Sequence, residues 1–233
     1  MNTPSAQQIE ILTQWDTPTV CNALELVMPE RRGFGFTVEQ AVCLAPDLKP
    51  VIGYARTVRC ATRTPPQESP EDLQSRRLAY YEYVAGPPHP TIAVIEDIDH
   101  DSGVGAFWGE VQTNIHKGLG CVGGVTSGAM RDLDDCAPEF QLLARRVVPS
   151  HIHNRVVDFG NQVEVLGMVV DHDDLIHADR HGAVVVPNEA VALLPDAVDL
   201  MIRKEAILLD AARQPDLDIE MLRKAFSQSA NIT

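Results

Sequence analysis

The sequence predicts an α/β fold, one compact domain with a mixed sheet and flanking helices. Two observations give the class: strand-like and helix-like segments alternate through the middle of the chain, and helical patterns stand at both ends. A third fixes the kind of core. Apolar residues make up 45% of the chain but aromatics only 5%, so the interior must be built mainly from Val, Leu, Ile and Ala. No repeat, low-complexity run or linker divides the 233 residues, and a single domain over 1–233 is expected.

Each element follows from local pattern. An N-terminal helix is expected over about 5–28, with Thr17 as a cap inside it and Pro18 at the first helical position of "DTPTVCNALELV". "PVIGYARTVRCA" (50–61) is a strand. "TRTPPQESPEDLQS" is a polar, Pro-rich loop that leads into a helix through "RRLAYYEYVA". "TIAVIEDID" is a buried strand ending in acids, and "DSGVGAF" a glycine-bearing loop. "WGEVQTNIHKG" (108–118) is a helix closed by glycine, and "CVGGVT" is the next strand, broken at its glycines. "QVEVLGMVV" and "GAVVVP" are strands joined by "DHDDLIHADRH". From about 188 the chain is expected to be helical, with Pro195 opening a second segment.

Composition removes several functions. A net charge of −14 argues against nucleic-acid binding, which needs a basic face to displace counterions. It leaves room for an anionic substrate, because a local arginine or metal ion overrides the global field. Five cysteines, an odd number without C-x-x-C spacing, fit a reducing cytoplasm and no zinc cluster. The N-terminus lacks a signal-peptide pattern, and no apolar run is long enough to span a bilayer. The expectation is a cytoplasmic protein without membrane partners.

The chemistry-bearing stretch is "GCVGGVTSGAMRDLDD" (120–135), where an apolar strand is followed at once by Arg131 and Asp132. Neighbours on a regular strand or helix point apart, so the two are expected to meet separate partners. In one reading Asp132 caps a helix starting at Leu133, with Asp135 at the capping-box position and Arg131 on the surface; spacing alone favours this. In the other, Arg131 holds an anionic substrate and Asp132 a metal ion. A second candidate is the strand–loop–helix unit ending in "WGEVQTNI". Backbone N–H groups around Gly109, Glu110, Val111 and Gln112 could hold a carboxylate, although Glu110 itself opposes an anion there.

Other patterns fail. "DIDHDSG" lacks the glycine and the distal glutamate of a calcium loop. His151 and His153 would share one face of a strand, but neither they nor His172, His177 and His181 carry a zinc-site spacing, and structural or surface roles are favoured. There is no G-x-S-x-G, P-loop or G-x-G-x-x-G.

Together these segments resemble the RraA-like family. "GAFWGEVQTNIHKGLGCVGGVTSGAMRDLDD" is similar to the family's core signature, and "WDTPTVCNALE", "PVIGYARTVRC" and "DDLIHADRHGAVVVP" resemble its flanking blocks. The family includes divalent-metal aldolases that act on 4-hydroxy-4-methyl-2-oxoglutarate and 4-carboxy-4-hydroxy-2-oxoadipate, and regulators that inhibit an RNA-degrading endonuclease. The resemblance implies a compact domain of the swivelling β/β/α type that assembles as trimers or hexamers with sites near subunit interfaces. It implies Mg²⁺ (or Mn²⁺) on Asp132, Arg131 on the pyruvyl oxygens of a small anionic 2-oxo acid, and the 109–112 backbone on its carboxylate. Glu110 and, across an interface, Glu205 are the implied acidic groups. The chain departs from the family at Ser127, where aspartate is common, and at Asn22, where an acid is common. The implied activity is cleavage of a 2-oxo acid to a pyruvate enolate, by retro-aldol reaction or oxaloacetate decarboxylation. The alternative is a non-catalytic regulator of RNA degradation. That branch lacks the aspartate after the arginine, and this chain has it.

Overall fold

The computed structural model describes residues 4–232. Four strands form a parallel centre: β2 (Val51–Ala61), β3 (Thr91–Asp97), β5 (Cys121–Met130) and β6 (Gln141–Val147), in the order β6-β5-β3-β2. Antiparallel strands extend it on both sides. β1 (Val42–Cys43) pairs with β6, and β10 (Leu175–Asp179) and β11 (Gly182–Val186) continue beyond β2. β7 (Arg155–Phe159) pairs with the C-terminal half of β2, and the short β4 (Ala106–Trp108) lies parallel to the end of β5. A separate hairpin joins β8 (Val163–Val165) to β9 (Met168–Val170).

Alternation along the central strands sends side chains to opposite faces. On one face Val58, Ile95 and Leu142 pack with Tyr80 and Val84 of α3 (Pro70–Ala85) and with Trp108, beneath α4 (Glu110–Gly118). On the other, Ile92, Val94, Val125 and Leu143 meet Val163, Val165 and Met168 of the hairpin. Helix α3 starts at Pro70 under a Ser69 cap that accepts from Asp72 N. Each large aliphatic side chain fully buried in these layers contributes about 1.5–3 kcal/mol. A third cluster packs α2 (Thr17–Val27) and α5 (Leu194–Ala212) against Ile52, Tyr54, Leu175, Val184 and Val186. α1 (Ala6–Ile11) and α6 (Ile219–Ala230) complete the ends. No helix among the described residues is long and apolar enough to cross a membrane.

The α/β class and the mixed sheet agree with expectation, and several boundaries differ for physical reasons. The N-terminal helix is interrupted at Trp15 and Asp16. Asp16, not Thr17, caps α2 by accepting from Thr19 N at 2.9 Å. Thr17 is engaged elsewhere: its N–H donates to Asp179 and its hydroxyl to His177 Nδ1. Residues 188–193 are turns, and helix begins only at Leu194. Trp108 belongs to β4, so α4 is shorter than expected. β5 does not break at its glycines. A Cβ on Gly124 would stand 2.6 Å from the Trp108 indole, so the glycine serves close packing inside a continuous strand. "QVEVLGMVV" is the β8–β9 hairpin rather than one strand. β10 lies inside the segment expected to be a connection, and β6 and β7 carry no period-2 signal that would separate them from loop.

Candidate functional site

The parallel strands β3, β5 and β6 end on the same side of the sheet, and open α/β sheets bind ligands outside the carboxyl ends of such strands. Trp108 pairs with Met130, and Arg131 N donates to Trp108 O at 3.0 Å. This register carries Arg131 and Asp132 off the end of β5 directly beneath Gly109 and the start of α4.

Asp132 has φ 53°, the left-handed region that Asp enters at less cost than most residues. The turn swings its carboxylate back toward its neighbour, and Arg131 Nε lies 3.4 Å from Asp132 Oδ2. The expectation of separate partners, drawn from regular geometry, is therefore corrected. The expected helix at Leu133 is absent too: 133–136 is a turn in which Asp135 N and Cys136 N both donate to Asp132 O. Asp132 faces a different helix start. Glu110 N donates to its Oδ2 across a long 3.4 Å. Gly109, the N-cap of α4, has no side chain to do this. A Cβ there would stand 2.6 Å from Asp132 Oδ2 and 3.2 Å from Arg131 Cγ, so the close approach depends on glycine.

The first N–H groups of a helix have no acceptor within the helix. Those of Val111 and Gln112 have none elsewhere among the described residues. A chain of buried groups holds this turn in place. Gln112 O can only accept, so His116 Nδ1 carries the proton and donates to it at 2.8 Å, and Nε2 accepts from Tyr80 OH at 2.7 Å. Burial pushes His116 down to about 4, so the ring is neutral near pH 7.

Gly109, Val111, Gln112, Arg131 and Asp132 line one cavity of about 370 Å³, a volume within the range of small-ligand sites. Glu110 is exposed at its margin. Glu205 is exposed on α5, which packs on α2 and α6, and the fold does not bring it to this cavity within one chain. Ser127 is also elsewhere: it is buried, and its hydroxyl accepts from Asp97 N at 2.9 Å, tying β5 to β3. The lining also includes Arg77 and Tyr81 of α3 and Arg155, which sequence reasoning passed over, and His151 and His153, for which it favoured structural or surface roles. The two histidines lie on a turn, with Ile152 at φ 46°, rather than on a strand.

No group of three or more His, Cys, Asp or Glu that could hold a metal occurs among the described residues. The one carboxylate in the cavity lining is that of Asp132, about one-third exposed, and the imidazoles of His151 and His153 line the cavity without forming such a group with it. That suits a hydrated Mg²⁺-like ion, which takes one or two protein carboxylates and completes its octahedron with water and substrate; it does not suit an all-protein cage.

Fold and site together describe an α/β protein with an arginine–aspartate pair under a helix N-terminus. The sequence matches the profile of the RraA-like family (Aldolase/RraA) over residues 17–185, and the chain belongs to that family. No protein of curated function matches it in sequence. Among solved structures, an uncharacterized protein from Pseudomonas syringae pv. tomato is similar over 97% of this chain and 99% of its own, with TM-score 0.68 and 17% identity. Streptomyces coelicolor RraAS2, described as an unusual member of the RNase ES inhibitor RraA protein family, is 21% identical over 92% of this chain and 100% of its own, with TM-score 0.65. A Geobacillus kaustophilus protein described as an S-adenosylmethionine:2-dimethylmenaquinone methyltransferase is 17% identical over 70% of this chain and 91% of its own, with TM-score 0.52. Their described activities differ, so these likenesses establish the fold alone.

Proposed function

We propose that the protein is a divalent-metal-dependent carbon–carbon lyase that cleaves a 2-oxo acid to a pyruvate enolate, by retro-aldol cleavage, oxaloacetate decarboxylation or both. The observation that carries this reading is the convergence of Arg131, Asp132 and the open N–H groups of α4 at one end of a single cavity. Asp132 would hold Mg²⁺ or Mn²⁺, which when bound supplies Lewis-acid polarisation of the substrate oxygens.

The remaining work belongs to the chain. The N–H groups of Val111 and Gln112 receive the substrate carboxylate at the positive end of α4. As the carbon–carbon bond breaks, its electron pair passes into the pyruvyl unit, and Arg131 faces the negative charge where it develops. A proton must leave the substrate hydroxyl in the retro-aldol reaction, and another must reach the enolate carbon. Glu110, at the cavity margin, moves them through an ordered water. Glu205 can take part only from a neighbouring subunit, so the reading includes a homotrimer or hexamer whose site is completed across an interface.

The retained Asp132 supports this reading over a non-catalytic regulator of RNA degradation. The test is a screen of 2-oxo acids, oxaloacetate among them, for pyruvate release with Mg²⁺ or Mn²⁺, with light scattering on the same sample. Metal-stimulated release from a trimer or its multiple is expected. No release from any of these acids would overturn the lyase reading, and an active monomer would remove Glu205 from it.

A further inference from the structure

Retro-aldol cleavage needs a base for the substrate hydroxyl, and the cavity lining holds few groups that can take up a proton. Asp132 is engaged with Arg131 and with the start of α4, and is the group that would hold the metal. The Tyr80 hydroxyl donates to His116 Nε2, and burial pushes it well above the usual phenol range. The Tyr81 hydroxyl donates to Gln112 Oε1 at 3.1 Å. His151 and His153 remain. In His116, His172 and His177 both ring nitrogens are engaged. In His151 only one is. Its Nδ1 lies 2.9 Å from Ile152 O, which can only accept, so Nδ1 carries the proton of the neutral ring. Nε2 is then a lone pair that no group among the described residues meets. The neighbouring carbonyl sets the tautomer that a base requires.

The turn that carries His151 is fastened to the same short strand as Arg131. Ala106 N donates to Ser150 O at 2.9 Å at one end of β4, and Arg131 N donates to Trp108 O at 3.0 Å at the other. These attachment points are two residues apart, about 7 Å at the usual rise of a strand. Further bonds fix the turn: His153 N donates to Thr62 O, and Asn154 N to His151 O. A Cβ on Gly105 would stand 2.9 Å from His151 O, so glycine lets β4 approach this closely. Ile152, β-branched and at φ 46°, holds a conformation that it would not adopt without these restraints. The side chains of His151 and Arg131 thus enter one cavity from neighbouring points of its wall.

We infer that His151 is the catalytic base that takes the hydroxyl proton in retro-aldol cleavage, which leaves the Glu110 route with the proton that reaches the enolate carbon. This rests on the lyase reading. Nε2 of His151 takes the proton as the O–H bond breaks, and the oxygen's electron pair forms the new carbonyl. The carbon–carbon bond breaks, and its pair passes into the pyruvyl unit. The enolate carbon gains a proton to give pyruvate, and the imidazolium releases its own to water. Decarboxylation of oxaloacetate reaches the same enolate by loss of carbon dioxide. It has no hydroxyl proton to remove and does not need His151.

The test compares pyruvate release from 4-hydroxy-4-methyl-2-oxoglutarate and from oxaloacetate, both with Mg²⁺, in wild type, His151→Ala, His151→Gln and His153→Ala, with a melting curve for each. His151→Ala is expected to lower kcat on the hydroxy acid about 10²–10⁴-fold, the scale of one general base, and to spare most of the oxaloacetate rate. Added imidazole should restore part of the lost retro-aldol rate, because a free ring can enter the vacated space and take the proton. His151 is exposed, so the melting temperature should hold. His151→Gln keeps a donor for Ile152 O but has no basic nitrogen, and it should show the same split between substrates. Equal loss on both substrates, no loss on either, or a selective loss that follows His153 instead overturns the proposal. So does a wild type that decarboxylates oxaloacetate but does not cleave the hydroxy acid, and that result keeps the lyase reading. A wild type that releases pyruvate from neither acid removes the lyase reading, and this base with it.

Discussion

Asp132 and Asp179 are the same device used twice, each an aspartate near a strand end that offers its carboxylate to the start of a helix from another part of the chain. Asp179 is 4% exposed and saturated. Its Oδ2 accepts from Thr17 N at 2.9 Å at the start of α2, its Oδ1 accepts from His181 N at 2.8 Å, and the His181 ring closes over it. Burial alone would raise its pKa, but these hydrogen bonds outweigh burial and hold it below the usual carboxylate range. Asp132 is about one-third exposed, has only the two 3.4 Å contacts to its Oδ2, and faces a cavity. A carboxylate whose acceptor capacity is consumed by the fold is a fastener. One whose capacity is left over at a cavity can hold a ligand. Motif position does not separate the two, since both lie in family-like blocks; hydrogen-bond saturation does.

Four changes break or sharpen this contrast. The largest effect falls on Asp132→Ala, which should abolish metal-dependent turnover and leave the melting temperature nearly unchanged, since no short hydrogen bond is lost. Full activity in that variant would make Asp132 a second fastener. Next comes Arg131→Ala, with kcat lowered about 10²–10³-fold, as when one preorganised donor is removed from a developing anion. Arg131→Lys should recover only part of that, because lysine keeps the charge but loses the fork. Normal steady-state rates in the alanine variant would remove the enolate role.

Asp179→Ala should show the mirror image of Asp132→Ala. The Thr17 N–H at the start of α2 and the His181 N–H in the turn between β10 and β11 lose their acceptor, at a cost of about 1–3 kcal/mol each if they stay buried and unpaired. Denaturant midpoints should fall while the kinetic constants of the folded fraction hold. A lowered kcat in fully folded Asp179→Ala would spoil the division of labour.

The smallest effect is a pH slope. His116 is near 6.5 in an unfolded chain and about 4 when folded, so below about 6.5 the unfolded state takes up the proton first. Its contribution to stability is whole above that pH and is lost as pH falls toward about 4. Denaturant titrations across this window should give a shallower slope for His116→Gln than for wild type; identical slopes would mean that the neutral ring does not matter.

The sequence made the Arg131–Asp132 side of the cavity legible because its parts are contiguous: the 109–112 backbone and the Arg131–Asp132 pair sit in one recognisable block. Their local geometry was not legible. Nothing in the residue string announces φ 53° at Asp132, and the cap expected at Leu133 instead serves α4 through space. The rest of the lining was legible still less, because Arg77 lies on a helix whose pattern speaks only of amphipathicity, and Arg155 becomes a lining residue through β7 pairing with β2. Among the secondary elements, the long buried strands and capped helices were read correctly. β7 and β10 were missed because polar residues in them are satisfied by long-range partners, as Arg155 is by Thr64 and His177 by Thr17 and Leu12.

The most direct test of the account is the initial rate of pyruvate release from oxaloacetate as Mg²⁺ is titrated, run side by side on wild type and Asp132→Asn with melting curves for both. The substitution keeps size and hydrogen bonding but removes the charge that would hold the cation. The account predicts a saturable rise for wild type, reversed by a chelator, and a flat low rate for Asp132→Asn at an unchanged melting temperature. A wild-type rate indifferent to Mg²⁺ and chelator, or an Asp132→Asn curve that superimposes on wild type, would contradict it.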